Sequence, residues 1–241
     1  MKKPSSSHNF KAIFTLSLTC LVLASCNATD NSTDINRNTA SPPLVVTRNC
    51  ELETGNQLVQ AYCLFESASI LQVNGFTEQA KQEYVRVIAL DAGRTEAYLR
   101  LGSIYLAENS LDMAEEMYLA AKQLGSTDPV PFLNLGFIYD SSGRPELAVP
   151  NYLEAIRLNP ENATAHYNLA LAYSRNPDRL DEATTELHKA IELHPGMADA
   201  HFALAQIYQF SYQSELAREH YEKALVLGHA RAAERLRQLR R

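Results

Sequence analysis

The sequence predicts an all-α protein in which helix hairpins are stacked along the chain, and three observations lead to this prediction. Similar stretches recur every 34 residues from about residue 55 onward. Within each stretch, apolar residues follow the i, i+3, i+4, i+7 spacing of one buried helix face. Small residues recur at fixed positions, where the two helices of a hairpin must approach closely. Together these features predict a solenoid with one continuous core.

The first 25 residues have the pattern of an export signal. Three lysines precede an apolar run of about a dozen residues at 12–23, which is too short for a bilayer span of roughly 20 residues. The run ends in LASC, residues 23–26, and this resembles the lipobox of bacterial lipoproteins. The alternative is an ordinary secretory signal that is cut near Ala24 or Cys26.

The lipobox resemblance implies that Cys26 is acylated after residues 1–25 are removed, so that the protein is tethered to a lipid bilayer. Two or more acyl chains make a stable anchor. Residues 26–49 are rich in Asn, Thr, Ser and Asp, which predicts a flexible tether. By family analogy, Asn27 favours the periplasmic face of the outer membrane in a two-membrane cell envelope.

The charge of the chain excludes one class of partner. It carries 22 basic and 28 acidic residues, a net charge of −6, and loss of the three signal lysines leaves 19 against 28, a net charge of −9. So acidic a chain, with no basic stripe, is not expected to bind nucleic acid or anionic lipid headgroups.

Two cysteines remain once Cys20 and Cys26 are set aside. Cys50 and Cys63 would lie in an oxidising compartment, which favours a disulfide. On one straight helix they would be roughly 20 Å apart, too far to bond. Gly55-Asn56 lies between them and favours a break that lets Cys50 fold back.

The repeats resemble the tetratricopeptide family. The small residues that this family places at the close crossing are Ala68, Gly102, Gly136, Ala170 and Ala205. The small residues that answer them on the second helix are Ala80, Ala114, Ala148, Ala183 and Ala217. Large residues fill the layers between, and those on the second helix are Tyr84, Tyr118, Tyr152, Leu187 and Tyr221. The resemblance implies a right-handed superhelix of five hairpins, at 61–94, 95–128, 129–162, 163–197 (one residue longer) and 198–230.

The ends of the repeat array are also predicted. Residues 50–60 form a lead-in to the first repeat, and residues 229–241 form a capping helix that covers the open end of the stack. The arginines of that helix are expected to face water; the alternative is that they form a basic docking site.

No catalytic or cofactor motif was found. The chain lacks a Gly-rich phosphate loop, His-Glu-x-x-His, Gly-x-Ser-x-Gly and Cys-x-x-Cys. Its histidines show no metal-ligand spacing, and His166 and His201 occupy packing positions. We therefore expect no enzyme activity, no cofactor and no metal.

The family resemblance places a binding groove on the first helices, where a protein or peptide partner lies. The matching positions are apolar and aromatic more often than a solvated face requires. Neighbouring repeats or the tether could instead cover part of this surface. The groove residues are Tyr62, Phe65, Leu99, Leu106, Leu133, Asn134, Phe137, Tyr167, Asn168, Leu171, Arg175, Phe202 and Phe210.

Two details of the groove narrow the expected partner. The basic clamp by which some family members hold a terminal carboxylate is missing, and Asn134 and Asn168 resemble a short asparagine ladder that bonds an extended peptide backbone. The sequence therefore predicts a tethered adaptor for a cell-envelope assembly such as a pilus, secretion or wall-enzyme complex. The alternative is a regulatory subunit of an envelope enzyme system.

Overall fold

The computed structural model describes residues 56–239, in which all regular structure is helical. The chain divides into two compact units, the first ending at Ala92 and the second beginning at Gly93. Each unit consists of helix hairpins, so the predicted all-α fold is confirmed. No helix within 56–239 has both the length and the apolar character that are needed to cross a bilayer.

The first unit contains one hairpin, formed by α1 (Gln57–Val73) and α2 (Thr77–Leu90). Helix α1 begins at Gln57, inside the predicted lead-in 50–60, because Asn56 caps it: its side-chain oxygen accepts a hydrogen bond from the Leu58 amide at 3.1 Å. The sequence predicted a break at Gly55-Asn56, but the capping role of Asn56 was not recognised.

The second unit contains four hairpins and a terminal helix. In each hairpin a first helix packs against a second helix, and each second helix packs against the first helix of the next hairpin. The helices are α3 (Thr95–Ala107), α4 (Leu111–Gln123), α5 (Val130–Ser141), α6 (Pro145–Leu158), α7 (Ala163–Ser174), α8 (Leu180–Leu193), α9 (Ala198–Phe210), α10 (Ser214–Val226) and α11 (Ala232–Leu239).

Tyrosine rings from the second helices fill the core beneath small residues of the first helices. A Cβ atom added to Gly102 would lie 3.0 Å from the Tyr118 ring, and one added to Gly136 would lie 2.5 Å from the Tyr152 ring. The rings therefore occupy the space that a larger residue on the first helix would need.

The turn inside the fourth hairpin, α7–α8, differs from its counterparts. The turns inside the other three hairpins of the second unit each place one residue in the left-handed region: Asn109, Gly143 and Tyr212. The α7–α8 turn instead contains a short 3₁₀ helix, Pro177–Arg179, whose start is capped by the Asn176 side chain. The extra residue of this repeat is accommodated there.

Helix α11 covers the end of the stack, as predicted for the capping helix. Its buried residues Ala232 and Leu236 belong to one apolar cluster with Phe202, Ala205 and Tyr221. The cap therefore buries the apolar face that α9 and α10 would otherwise expose.

Candidate binding surface

The first helices of the second unit present one surface that their own second helices do not cover, and we call it the first-helix face. Its central row takes the same position from four successive repeats: Ser103, Phe137, Leu171 and Gln206. Phe137 is 45% exposed and Leu171 is half-buried. Two of the predicted groove residues therefore lie side by side along the repeats on an open surface.

A pocket opens in this face between α7 and α9. Its volume is about 250 Å³, and its wall includes the predicted groove residues Leu171 and Phe210, of which Phe210 is 63% exposed. None of the residues that line it is charged. They are Leu171, Ser174, Pro177, Leu180, Leu187, Ala203, Gln206, Ile207 and Phe210.

The lining residue Leu187 stands where four other repeats have a tyrosine. In three of these repeats the tyrosine hydroxyl is hydrogen-bonded to the first helix. For example, Tyr118 Oη lies 3.1 Å from Ser103 Oγ, and Tyr221 Oη donates to Gln209 at 2.8 Å. A leucine ends before the hydroxyl and lacks the ring. The pocket thus lies beside the one leucine in the tyrosine series, although the sequence pattern was interpreted only as core packing.

The polar groups of the first-helix face differ in how far they are already engaged. Asn134 donates its amide hydrogen to Tyr118 Oη at 2.8 Å, so this rung of the predicted asparagine ladder is tied to the core. Within residues 56–239 the side chains of Asn168 and Gln206 have no hydrogen-bond partner. Asn168 and Gln206 are therefore amides of this face whose side chains keep their full bonding capacity, and Gln206 was missed in the sequence.

Several predicted groove residues occupy the fifth position counted from the start of each repeat. Two of them, Leu133 and Phe202, pack against neighbouring elements, which corrects part of the predicted groove. Phe202 is only 3% exposed and stacks on His229 with ring centroids 3.8 Å apart, so it belongs to the capped end rather than to an open groove. Leu133 packs against the cluster that contains Ala155 and Ala165. The position is a packing position because it faces the next element along the stack.

Tyr167 is the fifth-position residue of the fourth repeat and is half-buried. Burial raises the pKa of its hydroxyl, nearby Asp199 raises it further, and Arg231 lowers it. Asp199 at the start of α9 and Arg231 just before α11 are therefore near this hydroxyl.

The remaining predicted groove residues are spread over both units. In the first unit, Tyr62 is exposed and Phe65 packs edge-on against Tyr84, with ring centroids 5.6 Å apart. In the second unit, Leu99 and Leu106 are half-buried on α3.

Arg175 is exposed at the end of α7, but it is already paired. Its guanidinium lies 2.8 Å from the Asp140 carboxylate of α5. This predicted groove residue thus links two neighbouring first helices.

Two histidine pairs occupy equivalent places in the fourth and fifth hairpins. His166 Nδ1 lies 2.6 Å from Glu186, whereas His201 Nδ1 lies 3.1 Å from His220 Nδ1. Burial, followed by His201 and Lys223, lowers the pKa of His220 to about 4. Both pairs confirm the packing role that was expected for His166 and His201.

Of the cysteines named in the predictions, only Cys63 lies within the described residues. Cys63 on α1 is disulfide-bonded. Cys50, Cys26, the signal and the tether lie outside the described residues, so the Cys50–Cys63 pairing and the lipidation stay predictions. Within residues 56–239 no group of three His, Cys, Asp or Glu side chains is placed to hold a metal ion.

Fold and surface together define a helical-repeat protein whose first helices leave an uncovered face. Three tetratricopeptide repeat profiles match residues 65–129, 138–176 and 198–226, together more than half of the sequence. The chain belongs to the tetratricopeptide repeat family. No curated protein matches it at significant similarity.

Solved structures show the same fold. YrrB, a TPR protein with an unusual peptide-binding site, is 24% identical; the match covers 74% of this chain and 92% of YrrB, with a TM-score of 0.66. MamA is 23% identical over 72% of this chain and 94% of its own, with a TM-score of 0.63. A MamA fragment from Desulfovibrio magneticus RS-1 is 19% identical over 73% and 97%, with a TM-score of 0.64. The predicted tetratricopeptide solenoid is thus confirmed.

Proposed function

We propose that this protein is an adaptor that holds an extended segment of a partner protein on its first-helix face. The observation that carries the proposal is the apolar row of Phe137 and Leu171, which continues into the uncharged pocket beside Phe210. Exposed apolar surface of this kind marks interaction sites. Backbone groups of an extended segment need hydrogen-bond partners, and the unbonded amides of Asn168 and Gln206 flank the row.

Two further observations support a protein partner over other ligands. Tetratricopeptide repeats form extended surfaces that suit peptides, and the structural neighbour YrrB has a peptide-binding site. The net charge of −6 opposes binding to nucleic acid. We propose no catalytic role.

We also propose that the adaptor works at the cell envelope, tethered through acylated Cys26. The support is the order of the N-terminal features: lysines, an apolar run of signal length, and LASC at residues 23–26. On this proposal the tether gives the repeats access to partners at the membrane surface, in an envelope assembly or, as the second candidate, in an enzyme complex that the protein regulates.

Site-specific photo-crosslinking tests the binding face. A photoreactive phenylalanine analogue replaces Phe137 or Phe210 in the full-length protein in cells, and the matched control replaces Leu153, which is similarly exposed on the second helix α6. Crosslinked partners are expected from the two first-helix positions only. Crosslinks from Leu153 alone would place the binding surface on the second helices and overturn the proposal.

The tether has a separate test. Cys26→Ala is expected to abolish labelling by a radioactive fatty acid and to move the protein out of the detergent phase. The matched control Cys20→Ala, which changes a cysteine inside the signal, should leave both unchanged. Unaltered labelling of the Cys26→Ala protein would contradict the lipid anchor but not the binding face.

A further inference from the structure

We infer that the pocket between α7 and α9 is a specificity site for one large uncharged side chain, aromatic or long aliphatic, of the bound segment. This inference rests on the proposed function and adds what the partner must carry. It follows from the single place in the repeat series where the core tyrosine is replaced by leucine.

The origin of the pocket explains why it lies beside the second helix of the fourth repeat. Tyr118 and Tyr152 lie in contact distance of Gly102 and Gly136, and Tyr221 lies in one cluster with Ala205. Leu187 answers Ala170 in the same place but is smaller. The lengthened α7–α8 turn contributes Pro177 to the pocket wall. Two departures from the repeat pattern therefore act on one space.

Size and charge define the occupant. A volume of about 250 Å³ accommodates a large side chain, since an engineered apolar cavity of about 150 Å³ already binds benzene. The chain is acidic overall, yet no charged residue lines this pocket. A charged side chain would be desolvated there without a partner, whereas an uncharged apolar group loses nothing. The lining thus selects an apolar side chain by charge as well as by shape.

The surroundings define how the rest of the segment lies. Gln206 is at the pocket wall, and Asn168 lies one helical turn before the lining residue Leu171. An extended backbone that passes between these two amides would be bonded by them while its apolar side chain points into the pocket. The partner is therefore an extended peptide with one apolar anchor.

Leu187→Tyr fills the pocket from below and is the decisive variant. The fifth repeat shows that a tyrosine fits beneath an alanine, because Tyr221 and Ala205 are both fully buried in one cluster. The variant should therefore fold. A second variant, Phe210→Ala, removes an exposed wall residue without touching the core, and Leu153→Ala is the matched control for an exposed apolar side chain elsewhere.

Two probes measure the effect in the full-length protein. Binding of indole is followed by NMR of leucine and isoleucine methyl groups. Indole should shift the signals of Leu171 and Ile207 in the unaltered protein, and its affinity for Leu187→Tyr should be lower by about tenfold or more. Short peptides from a random display library, selected on the unaltered protein, should share one large apolar residue. They should lose about tenfold or more in affinity for Leu187→Tyr and Phe210→Ala, but not for Leu153→Ala.

The outcomes separate this inference from the adaptor proposal. Peptides that bind the first-helix face but bind Leu187→Tyr equally well would overturn the pocket site and leave the adaptor proposal standing. If no peptide is selected and the pocket residues mediate self-association in sedimentation, the occupant is a second copy and the inference is wrong. Selected peptides with an acidic or basic residue in place of the apolar anchor would also overturn it.

Discussion

The fourth and fifth hairpins follow the same repeat pattern but differ in what they bury. In both, an alanine of the first helix faces the second helix, Ala170 in α7 and Ala205 in α9. The fifth hairpin places Tyr221 beneath its alanine and closes the core, whereas the fourth places Leu187 there and a pocket of about 250 Å³ lies alongside. The change from tyrosine to leucine, together with the longer α7–α8 turn, thus accompanies an open recess in the first-helix face.

The buried histidines of the two hairpins also have different partners. His166 is paired with the carboxylate of Glu186 in the fourth hairpin, while His201 meets a second histidine, His220, in the fifth. A carboxylate attracts a protonated imidazole, whereas two protonated imidazoles repel each other. Burial and the neighbouring histidine lower the pKa of His220, so the fifth hairpin opposes a charged histidine at this place.

These differences separate two tasks along the array. The fifth hairpin, with its buried Phe202 and the cap α11, forms a closed end whose residues stabilise the fold. The fourth hairpin has fewer large groups in its core and leaves an uncharged recess near Asn168 and Gln206. We expect changes in the buried core of the fifth hairpin to act on stability, and changes at the recess, which is lined by the fourth hairpin and the open face of α9, to act on binding.

The largest expected effect is that of Phe202→Ala. Phe202 is 3% exposed and contacts the cap, so its truncation should lower the free energy of unfolding by about 3–5 kcal/mol. Tyr167→Ala, at the same repeat position in the fourth hairpin, removes a half-buried side chain and should cost less than half as much. Urea unfolding of both variants measures the difference; equal losses would show that the two hairpins do not differ at this position.

The next effect is a pH dependence located in the fifth hairpin. The pKa of His220 is lowered to about 4 by burial, by His201 and by Lys223, with Glu219 opposing and His188 adding to the shift. The unfolded chain takes up a proton near pH 6.5 while the folded chain does not, so stability is full above pH 6.5 and falls as the pH drops toward 4. The loss from this group should be about 2–3 kcal/mol.

His220→Glu tests that dependence by copying the histidine–carboxylate pair of the fourth hairpin. A protonated His201 would then face a carboxylate, so the loss of stability between pH 6.5 and 4 should shrink relative to the unaltered protein. Urea unfolding at several pH values within this window gives the comparison. Glu186→Gln in the fourth hairpin is the control and should keep the steep dependence. An undiminished loss in His220→Glu would show that the His201–His220 pair does not cause it.

Tyr221→Leu converts the closed core of the fifth hairpin into the open form of the fourth. It removes the ring and the hydroxyl that donates to Gln209, and should cost about 2 kcal/mol in unfolding free energy. The converse variant, Leu187→Tyr, should not reduce stability by a comparable amount, because it fills space. Thermal unfolding of the two variants distinguishes them; a neutral Tyr221→Leu would mean that the tyrosine does not hold the core closed.

The repeat period predicted the helices and the core because each hairpin buries its residues in the same way. The predicted groove was less accurate. Phe202 was assigned to it by its position in the repeat. The capping helix was predicted, but the sequence does not show that this helix packs on Phe202. Leu187 was noticed only as one more large apolar residue. Its role depends on a lost ring volume and on the longer α7–α8 turn, which together become visible only in three dimensions.

The smallest expected effect concerns the turns of the two hairpins. The fifth turn holds Tyr212 at φ +60°, a left-handed conformation that is unfavourable for a bulky residue, whereas the fourth turn avoids it with a 3₁₀ helix. Gly143 occupies the equivalent place in the α5–α6 turn at φ +70°. Tyr212 is 93% exposed, so Tyr212→Gly removes strain and few contacts, and should raise the free energy of unfolding by about 0.5–1 kcal/mol after the entropy of the glycine in the unfolded chain is subtracted. The reciprocal variant, Gly143→Ala, should lower it by a similar amount. Denaturant midpoints of both variants measure these shifts, and a fall in stability for Tyr212→Gly would mean that the tyrosine ring contributes packing that outweighs its backbone strain.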